Sequence, residues 1–206
     1  LNGRAITSLS DTTALRYHPR CYYRPDESSP TEIRPALVAA VTDLAGQQTG
    51  AHRTWLAPEG SGKAAVETPR RAMGVLLGHA VRFGTAAEVL AAGEGIETVL
   101  SPRQVLPRMP MLAALSAAHL AAILFPPSLR RLYVVRDRDP AGDGARDGLA
   151  ARAESLGIEA MSLTPLNGDF NDDLRRHGAD ALRARLKDQL HPEDVRRFME
   201  LSLIHI

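Results

Sequence analysis

Cysteine, aromatic side chains and long apolar runs are all scarce in this chain of 206 residues, of which aromatic residues make up 4%. Cys21 is the only cysteine, which excludes a disulfide framework and a cysteine-based zinc site within the chain and suits a reducing compartment. No apolar run reaches the length of a membrane span, and we expect no signal peptide. Because the formal net charge is only +1, any nucleic-acid surface must come from local basic patches. We therefore expect a cytoplasmic protein without a membrane segment.

The pattern of apolar residues changes near Thr85, which predicts two parts. In the first part, the short apolar runs "ALVAAVTD" and "AHRTWL" are separated by turn residues and indicate a β-hairpin. The run "AVRF" at 80–83 indicates another short strand, and residues 24–35 are typical of a surface loop. We predict a small, basic, mostly β subdomain of the α+β type over residues 1–85.

Beyond Thr85, predicted strands alternate with predicted helices. The strands are "AEVLAAGE", "PMLAAL", "RRLYVV" and "IEAMSL". Among the helices, one begins after the N-cap residue Ser116, one is ended or kinked by Pro102, and one closes at Gly157. Such alternation predicts right-handed βαβ units and an α/β fold, with an open parallel sheet and flanking helices over residues 86–190.

The two ends of the sequence indicate a longer parent protein. The chain begins at Leu1 without a methionine, and "LSLIHI" is apolar and unpatterned after a charged helix. This stretch resembles the translation of a transposon end used in sequencing libraries, so we expect residues 201–206 to be non-native. The alternative is an ordinary hydrophobic tail. We assign residues 191–206 to a C-terminal tail.

Acidic residues follow three of the predicted strands. Glu94 follows the first strand, Asp137 and Asp139 follow "LYVV", and Asp169 and Asp172 come after "IEAMSL". Because the carboxyl ends of parallel strands meet at one edge of a sheet, we expect these side chains to converge. Alternate residues of an extended backbone point the same way, and carboxylate oxygens are the ligands that Mg²⁺ prefers. The sequence therefore predicts a site for Mg²⁺, or alternatively for Mn²⁺.

Other interpretations of these carboxylates stay open. An Asp-rich turn after a strand is often only a solvated cap. Glu94 precedes a predicted helix and would stabilise the positive end of the helix dipole. Asp169 and Asp172 precede another helix, where aspartate is a favoured capping residue.

Basic residues form a second candidate set. Several of them cluster around the segment "GKAAVETPRR", where they would hold the backbone of a nucleic-acid template or the phosphates of nucleotides. For any one of them the alternative is a solvated basic loop. The candidates are Lys63, Arg70, Arg71, Arg53 and His52, together with Arg138 beside the acidic pair.

The ordered motifs resemble the TOPRIM domain, which bacterial-type primases, topoisomerases and some nucleases share. "AAGEGIETVLS" carries an apolar strand followed by Glu-Gly, and "VVRDRDPAG" carries Asp-x-Asp-x-Ala-Gly. The later "GDFNDDL" resembles the third acidic element of plasmid and phage primase-like proteins. The resemblance covers about 85–185, and the preceding segments resemble the region before TOPRIM in primases of mobile elements. One departure is Thr98, which stands where many primases have aspartate, so we expect Glu97 to substitute for it.

The resemblance implies the catalytic core of a DNA primase, which synthesises RNA primers on single-stranded DNA from ribonucleoside triphosphates. In this interpretation Asp137 and Asp139 hold Mg²⁺, and Glu94 is either a metal ligand or the general base for an attacking 3′-hydroxyl. Asp169 and Asp172 would support a second ion. A replicative helicase is a further expected partner.

Two other functions stay under consideration, and two more are disfavoured. A TOPRIM nuclease would use the same carboxylates, and a degenerate fragment would bind DNA without catalysis. A topoisomerase needs a nucleophilic tyrosine on a further domain. A glycosyltransferase with an Asp-x-Asp motif is disfavoured because it leaves the Glu-Gly element unexplained.

Overall fold

The computed structural model of the chain describes residues 1–9, 12–137 and 140–199. Arg138, Asp139 and residues 201–206 lie outside the described residues. After a short 3₁₀ turn at Asn2–Arg4, the described residues form two β-sheets and five helices. None of the described helices is long and apolar enough to cross a membrane.

The first sheet is antiparallel and has the strand order β1-β2-β3-β4. Its β2 and β3 form the hairpin that the sequence predicts. The flanking strands β1 and β4 were not predicted, and β2 begins at Glu32 inside the segment expected to be a loop. The strands are β1 (Leu15–Tyr23), β2 (Glu32–Thr42), β3 (Gln48–Trp55) and β4 (Arg70–Gly74).

The second sheet has the order β5-β7-β6-β8-β9, in which β6 to β9 run parallel and β5 is an antiparallel edge strand. The predicted parallel α/β sheet is therefore confirmed. The strand from "AVRF", which sequence analysis grouped with the N-terminal part, belongs instead to this sheet because it pairs with β7. The strands are β5 (Val81–Phe83), β6 (Val89–Gly93), β7 (Met111–Ala113), β8 (Arg131–Val135) and β9 (Glu159–Leu163).

The predicted helix signals are also confirmed. The hydroxyl of Ser116 accepts a hydrogen bond from the His119 amide at 3.2 Å, which caps one helix. Gly157 adopts a left-handed conformation with φ 73° where another helix closes. Gly178 has non-helical dihedrals that divide the fourth helix into two pieces. The helices are α1 (Ile96–Arg103), α2 (Ala117–Ala121), α3 (Pro140–Ser155), α4 (Phe170–Lys187) and α5 (Pro192–Phe198).

Both faces of the second sheet are buried, which explains why its strands are almost entirely apolar. Along β8, Tyr133 and Val135 pack into a core with α1, α4 and residues of β2, whereas Leu132 and Val134 pack into a core with α2 and α3. The two sheets also meet directly, because Thr42 and Ala80 exchange two backbone hydrogen bonds of 2.9 and 3.3 Å. The first sheet is therefore joined to the second by both packing and backbone pairing.

A buried polar network fixes α5 against β8. The carboxylate of Asp194, which is 1% exposed, accepts hydrogen bonds from the Tyr133 hydroxyl at 2.7 Å and from Arg131 Nη1 at 2.8 Å. The Tyr133 hydroxyl in turn accepts a hydrogen bond from the backbone N–H of His191 at 2.9 Å. Burial, and then the hydrogen bond to Asp194, raise the pKa of Tyr133. Its phenol therefore stays protonated and continues to donate to Asp194.

Candidate functional site

A groove of about 1310 Å³ separates the first sheet from the loops at the carboxyl ends of β6 and β8. One side is lined by residues that follow these parallel strands. The other side is lined by residues of β1 to β4 and of the loop between β3 and β4. Six of the predicted residues therefore line this groove, with acidic ones on the first side and basic ones on the second: Glu94, Asp137, Asp169, His52, Lys63 and Arg70.

Glu94 and Asp137 both line the groove. Gly93 at the end of β6 lies directly opposite Val135 at the end of the parallel strand β8, so the two carboxylates leave the sheet at neighbouring positions. Gly93 is required there, because a Cβ at this position would come within 2.8 Å of Val99 Cγ2 in α1. The close approach of α1 to the sheet thus fixes the turn that carries Glu94.

Thr98, in the first turn of α1, contacts Asp137. Its buried hydroxyl donates a hydrogen bond to Asp137 Oδ2 at 3.2 Å. Glu97, expected to substitute for a missing aspartate, instead forms an ion pair with Arg4, with Nε and Oε1 3.6 Å apart. Sequence analysis missed the role of Thr98, although its place one turn after Glu94 was a usable signal.

Asp169 lines the groove and also caps α4, because its Oδ1 accepts a hydrogen bond from the Asp172 N–H at 2.7 Å. Asp172 is not among the residues that line the groove. The neighbouring Asp173 is buried and accepts hydrogen bonds from the backbone N–H groups of Leu166 and Asn167. Asp169 therefore caps α4, as the alternative interpretation of this segment predicts. Of Asp169, Asp172 and Asp173, only Asp169 also lines the groove.

The carboxylates fit a cation of the Mg²⁺ type. Across the described ranges, no group of three or more His, Cys, Asp or Glu side chains is placed to hold a metal ion, and Asp139 lies outside those ranges. Mg²⁺ commonly uses one or two protein carboxylates and completes its shell with water and substrate phosphates. Glu94 and Asp137 supply such oxygen donors, with no softer sulfur ligand among the groove residues.

The facing wall is built by one row of side chains across the first sheet. Strand pairing places Tyr17, Leu37, Thr54 and Arg70 directly opposite one another in β1, β2, β3 and β4, and all four line the groove. Tyr17 is 66% exposed, so its ring is available to a ligand. The wall therefore presents an aromatic ring at one side and a guanidinium at the other.

Lys63 and His52 complete the predicted basic residues of the groove. Burial, with a smaller contribution from the positive charge of Arg70, lowers the pKa of His52 to about 4. The imidazole is therefore neutral near pH 7, and the positive charge on this wall comes from Lys63 and Arg70. Groove cations that sequence analysis did not select for the site are Arg4, Arg16 and Arg175.

Arg53 and Arg71 point to the opposite face of the first sheet. They are paired across β3 and β4, one position out of phase with Thr54 and Arg70. The Arg53 guanidinium lies 5.0 Å from the centroid of the buried Trp55 ring. Arg71 donates a hydrogen bond to the Arg24 carbonyl oxygen at 2.7 Å. The structure thus separates these two arginines from the other predicted basic residues.

Comparisons with known proteins find two family matches in this chain. Residues 89–180 match the family model of the Toprim domain, and residues 1–83 match a domain of unknown function, DUF7146. Together the two matches extend over most of the sequence and include all the groove residues named above.

The fold is shared with solved primase structures. The zinc-binding and RNA polymerase domains of the Aquifex aeolicus primase match with a TM-score of 0.56 and 15% identity, covering 91% of this chain and 47% of theirs. The primase fragment of the bacteriophage T7 primase-helicase protein matches with a TM-score of 0.55 and 11% identity, over 78% of this chain and 65% of that one.

A third match is the RNA polymerase domain of the Mycobacterium tuberculosis primase DnaG, solved with a double-stranded DNA oligomer that has a 6-nucleotide overhang. Its TM-score is 0.53 at 16% identity, covering 90% of this chain and 70% of that one. This chain spans about half the length of the Aquifex structure and just under two thirds of the T7 fragment. Residues 89–180 therefore carry a match to the Toprim domain, and the chain shares its fold with these solved primase structures.

Proposed function

We propose that this chain is the catalytic core of a Mg²⁺-dependent DNA primase, which joins ribonucleotides into RNA primers on single-stranded DNA. The observation that carries the proposal is the composition of the groove. Glu94 and Asp137 line one side, and Lys63 and Arg70 line the other. Phosphoryl transfer on a nucleic acid needs both kinds of residue, one to stabilise the reacting phosphate and one to hold the strand.

The acidic side would carry the chemistry. Asp137 and Asp139 would hold Mg²⁺, which supplies positive charge that stabilises the developing charge on the transferred phosphate. Glu94 would act as a further ligand or as the general base that accepts the proton of the 3′-hydroxyl. Asp169 adds a carboxylate for a second ion, and Asp172 would support it through the backbone N–H that orients Asp169.

Thr98 would keep Asp137 in place. Its hydroxyl hydrogen bond at 3.2 Å occupies one lone pair of Oδ2 and fixes the orientation of the carboxylate. A charged acceptor makes this hydrogen bond worth about 1.5–3 kcal/mol. Because the donor is neutral, Thr98 orients Asp137 without adding to or cancelling its negative charge.

The basic side would bind the strand. Lys63 and Arg70 would contact backbone phosphates without reading the base sequence, and Arg138 would contact the triphosphate. The neutral imidazole of His52 would donate or accept a hydrogen bond without adding charge. Tyr17 exposes a ring on which a base can stack, which is typical of proteins that bind single strands. Arg53 and Arg71 would support this wall from behind by anchoring Trp55 and the loop at Arg24.

Single-stranded DNA and ribonucleoside triphosphates are the ligands that this proposal requires. A replicative helicase is the proposed protein partner, since one of the structural relatives is a fragment of a primase-helicase protein. The proposal keeps a basic subdomain and a TOPRIM domain, predicted at 1–85 and 86–190 with a tail at 191–206, but with two corrections. The strand β5 belongs to the second sheet, and α5 packs against β8 instead of forming a tail. We place the protein in the cytoplasm, where a DNA template is accessible.

The test is primer synthesis with single-stranded DNA, labelled ribonucleotides and Mg²⁺. We expect short RNA products from the wild-type chain that disappear in Asp137→Ala. Asp147→Asn is the matched control, because it removes one exposed carboxylate of α3 that does not line the groove. This variant should keep its activity.

Two other outcomes would replace the proposal. Mg²⁺-dependent shortening of the DNA, lost in Asp137→Ala, would identify a TOPRIM nuclease. Binding of DNA without any product, unchanged in that variant, would identify a non-catalytic DNA-binding fragment. Equal primer synthesis by Asp137→Ala and Asp147→Asn would remove the groove carboxylates from the mechanism.

A further inference from the structure

A second cavity, of about 570 Å³, lies between the β2–β3 hairpin and the loop that follows β5. Thr13 lines both this cavity and the groove, so the two lie next to each other. Among the predicted catalytic and basic residues that the structure describes, none lines the cavity. Its polar lining includes Thr13, Thr42, Asp43, Arg82 and Thr85.

Arg82 is brought into this cavity by its position in β5. Its neighbours Val81 and Phe83 are fully buried in the core that contains α1 and α4. Because side chains alternate along a strand, Arg82 points to the other face of the second sheet. It lies directly opposite Leu112, which packs into the core formed with α2 and α3.

The guanidinium of Arg82 is desolvated and lacks a direct counter-ion among residues 1–9, 12–137 and 140–199. Its Nε and Nη2 atoms are buried, and no acceptor in the described chain forms a hydrogen bond with either. Asp43 also lines the cavity, but its Oδ1 accepts a hydrogen bond from the Gln47 N–H at 2.9 Å. Burial lowers the pKa of Arg82, and the more distant charge of Asp43 partly opposes that effect.

A partly buried cation without a paired anion is unfavourable, unless a ligand supplies the charge. Arginine stays protonated near neutral pH, and its planar fork matches the oxygen atoms of phosphate. The three threonine residues of the lining add hydroxyl groups that can donate to the same ligand.

We propose that this cavity binds a phosphate-type oxyanion at Arg82. Inorganic phosphate, a free nucleotide and the backbone of a nucleic acid share this chemistry. Binding of a nucleic-acid backbone rests on the proposed function, because it requires a strand that leaves the groove past Thr13 and reaches Arg82. Binding of free phosphate does not depend on the proposed function.

The first experiment uses inorganic phosphate at constant ionic strength, with chloride as the exchanged ion. Phosphate should raise the Tm of the wild-type chain, because a ligand that binds only the folded state stabilises it. Arg82→Met should abolish this phosphate-dependent rise, whereas Arg82→Lys should retain part of it. The matched control is Arg130→Met, which removes an arginine whose side chain is 81% exposed and which does not line the cavity.

Asp43→Asn separates the two roles that Asp43 could have. If an oxyanion occupies the cavity, removing a like charge should tighten phosphate binding at least twofold. If Asp43 is itself the counter-ion of Arg82, Asp43→Asn should lower the Tm as much as Arg82→Met and should not improve phosphate binding. That result, or an equal response of the wild-type chain and Arg82→Met to both phosphate and DNA, would overturn the proposal.

The second experiment identifies the source of the phosphate. Binding of a short and a long single-stranded oligonucleotide is measured by fluorescence anisotropy at several salt concentrations. If the backbone is the ligand, Arg82→Met should weaken only the long oligonucleotide and should lower its salt slope by about 0.7 for the loss of one contact. If both oligonucleotides bind unchanged while phosphate binding is lost, the ligand is a free phosphate compound.

Two further measurements keep the proposal testable. If Arg82→Met does not fold, amide chemical shifts of Arg82 and Thr85 in the wild-type chain, followed during the phosphate titration, report binding directly. Asp137→Ala should retain phosphate binding in the cavity. A wild-type chain that binds phosphate in the cavity but makes no primers would refute the proposed function alone, and a wild-type chain that makes primers but does not respond to phosphate would refute the cavity proposal alone.

Discussion

Replacing Asp194 with alanine should lower the free energy of unfolding by about 3 kcal/mol. The change removes two hydrogen bonds to a charged acceptor, from Tyr133 at 2.7 Å and Arg131 at 2.8 Å, in a site where Asp194 is 1% exposed. Each such bond contributes about 1.5–3 kcal/mol. The lower end of the sum applies, because Arg131 keeps a 2.6 Å ion pair with Glu159.

Urea denaturation followed by circular dichroism would measure this effect. For a chain of this length, a loss of about 3 kcal/mol corresponds to a decrease in Tm of about 6–12 °C. Asp194→Asn keeps the shape of the side chain and one acceptor oxygen, so we expect about half of this loss in the free energy of unfolding. Glu193→Ala is the control, because Glu193 is the exposed neighbour of Asp194 in α5 and should change stability by no more than about 0.5 kcal/mol.

A double-mutant cycle gives the most direct check of the reasoning. Tyr133→Phe removes the other partner of the 2.7 Å hydrogen bond. Because both substitutions delete the same contact, the double variant should lose less stability than the sum of the two single variants. Strictly additive losses, or equal stability of Asp194→Ala and Glu193→Ala, would show that this network does not hold α5 against β8.

Three further predictions follow from particular contacts. Thr98→Val should lower primer synthesis at least about tenfold while Thr98→Ser stays near wild type, because serine keeps the hydroxyl that donates to Asp137 and a loss of about 1.5 kcal/mol exceeds a factor of ten; equal rates for the two variants would remove Thr98 from the mechanism. Gly93→Ala should destabilise the chain and reduce activity, because its Cβ would lie 2.8 Å from Val99 Cγ2, whereas Gly148→Ala, with nothing within 4 Å and no place in the groove lining, should do neither. The pKa of Tyr133 is raised in the folded state, so the unfolded chain releases the phenol proton first as pH rises above 10.0. The contribution of Tyr133 to the free energy of unfolding, which is fully present below that pH, should therefore be lost as pH rises further. This pH-dependent loss should be smaller in Tyr133→Phe.

The second sheet was the most predictable part of the fold. Its central strands are continuous apolar runs, since both faces are covered, and each is followed by a turn or a carboxylate. The position of Glu94 and Asp137 in one groove followed from the single rule that parallel strands end at one edge. Local signals such as the capping hydroxyl of Ser116 were also sufficient, because they depend only on residues within one helical turn.

The first sheet was less predictable because its strands lack a regular apolar pattern. In β1 only three of nine residues are buried, and Pro19 lies within it, which is compatible with an edge strand. Which face of the sheet borders the groove depends on how the two sheets pack. For that reason the sequence could not separate Arg70, which lines the groove, from Arg71, which lies on the opposite face.

The position of Arg82 was unpredictable for a related reason. A three-residue strand carries no signal of its partner, and "AVRF" was grouped with the N-terminal part. Its antiparallel pairing with β7 turns Arg82 toward the second cavity. Only a long-range contact, absent from the local sequence, creates that environment.

The row of residues from Tyr17 to Arg70 is asymmetric, because it has an aromatic ring at one end and a guanidinium at the other. Three strand spacings of about 4.8 Å separate its ends, so the backbone positions of Tyr17 and Arg70 lie about 14 Å apart across the sheet. A polynucleotide has different chemistry at its 5′ and 3′ ends, and an asymmetric wall of this length would accept one strand polarity better than the other. The first sheet would then decide which end of the template points toward Glu94 and Asp137.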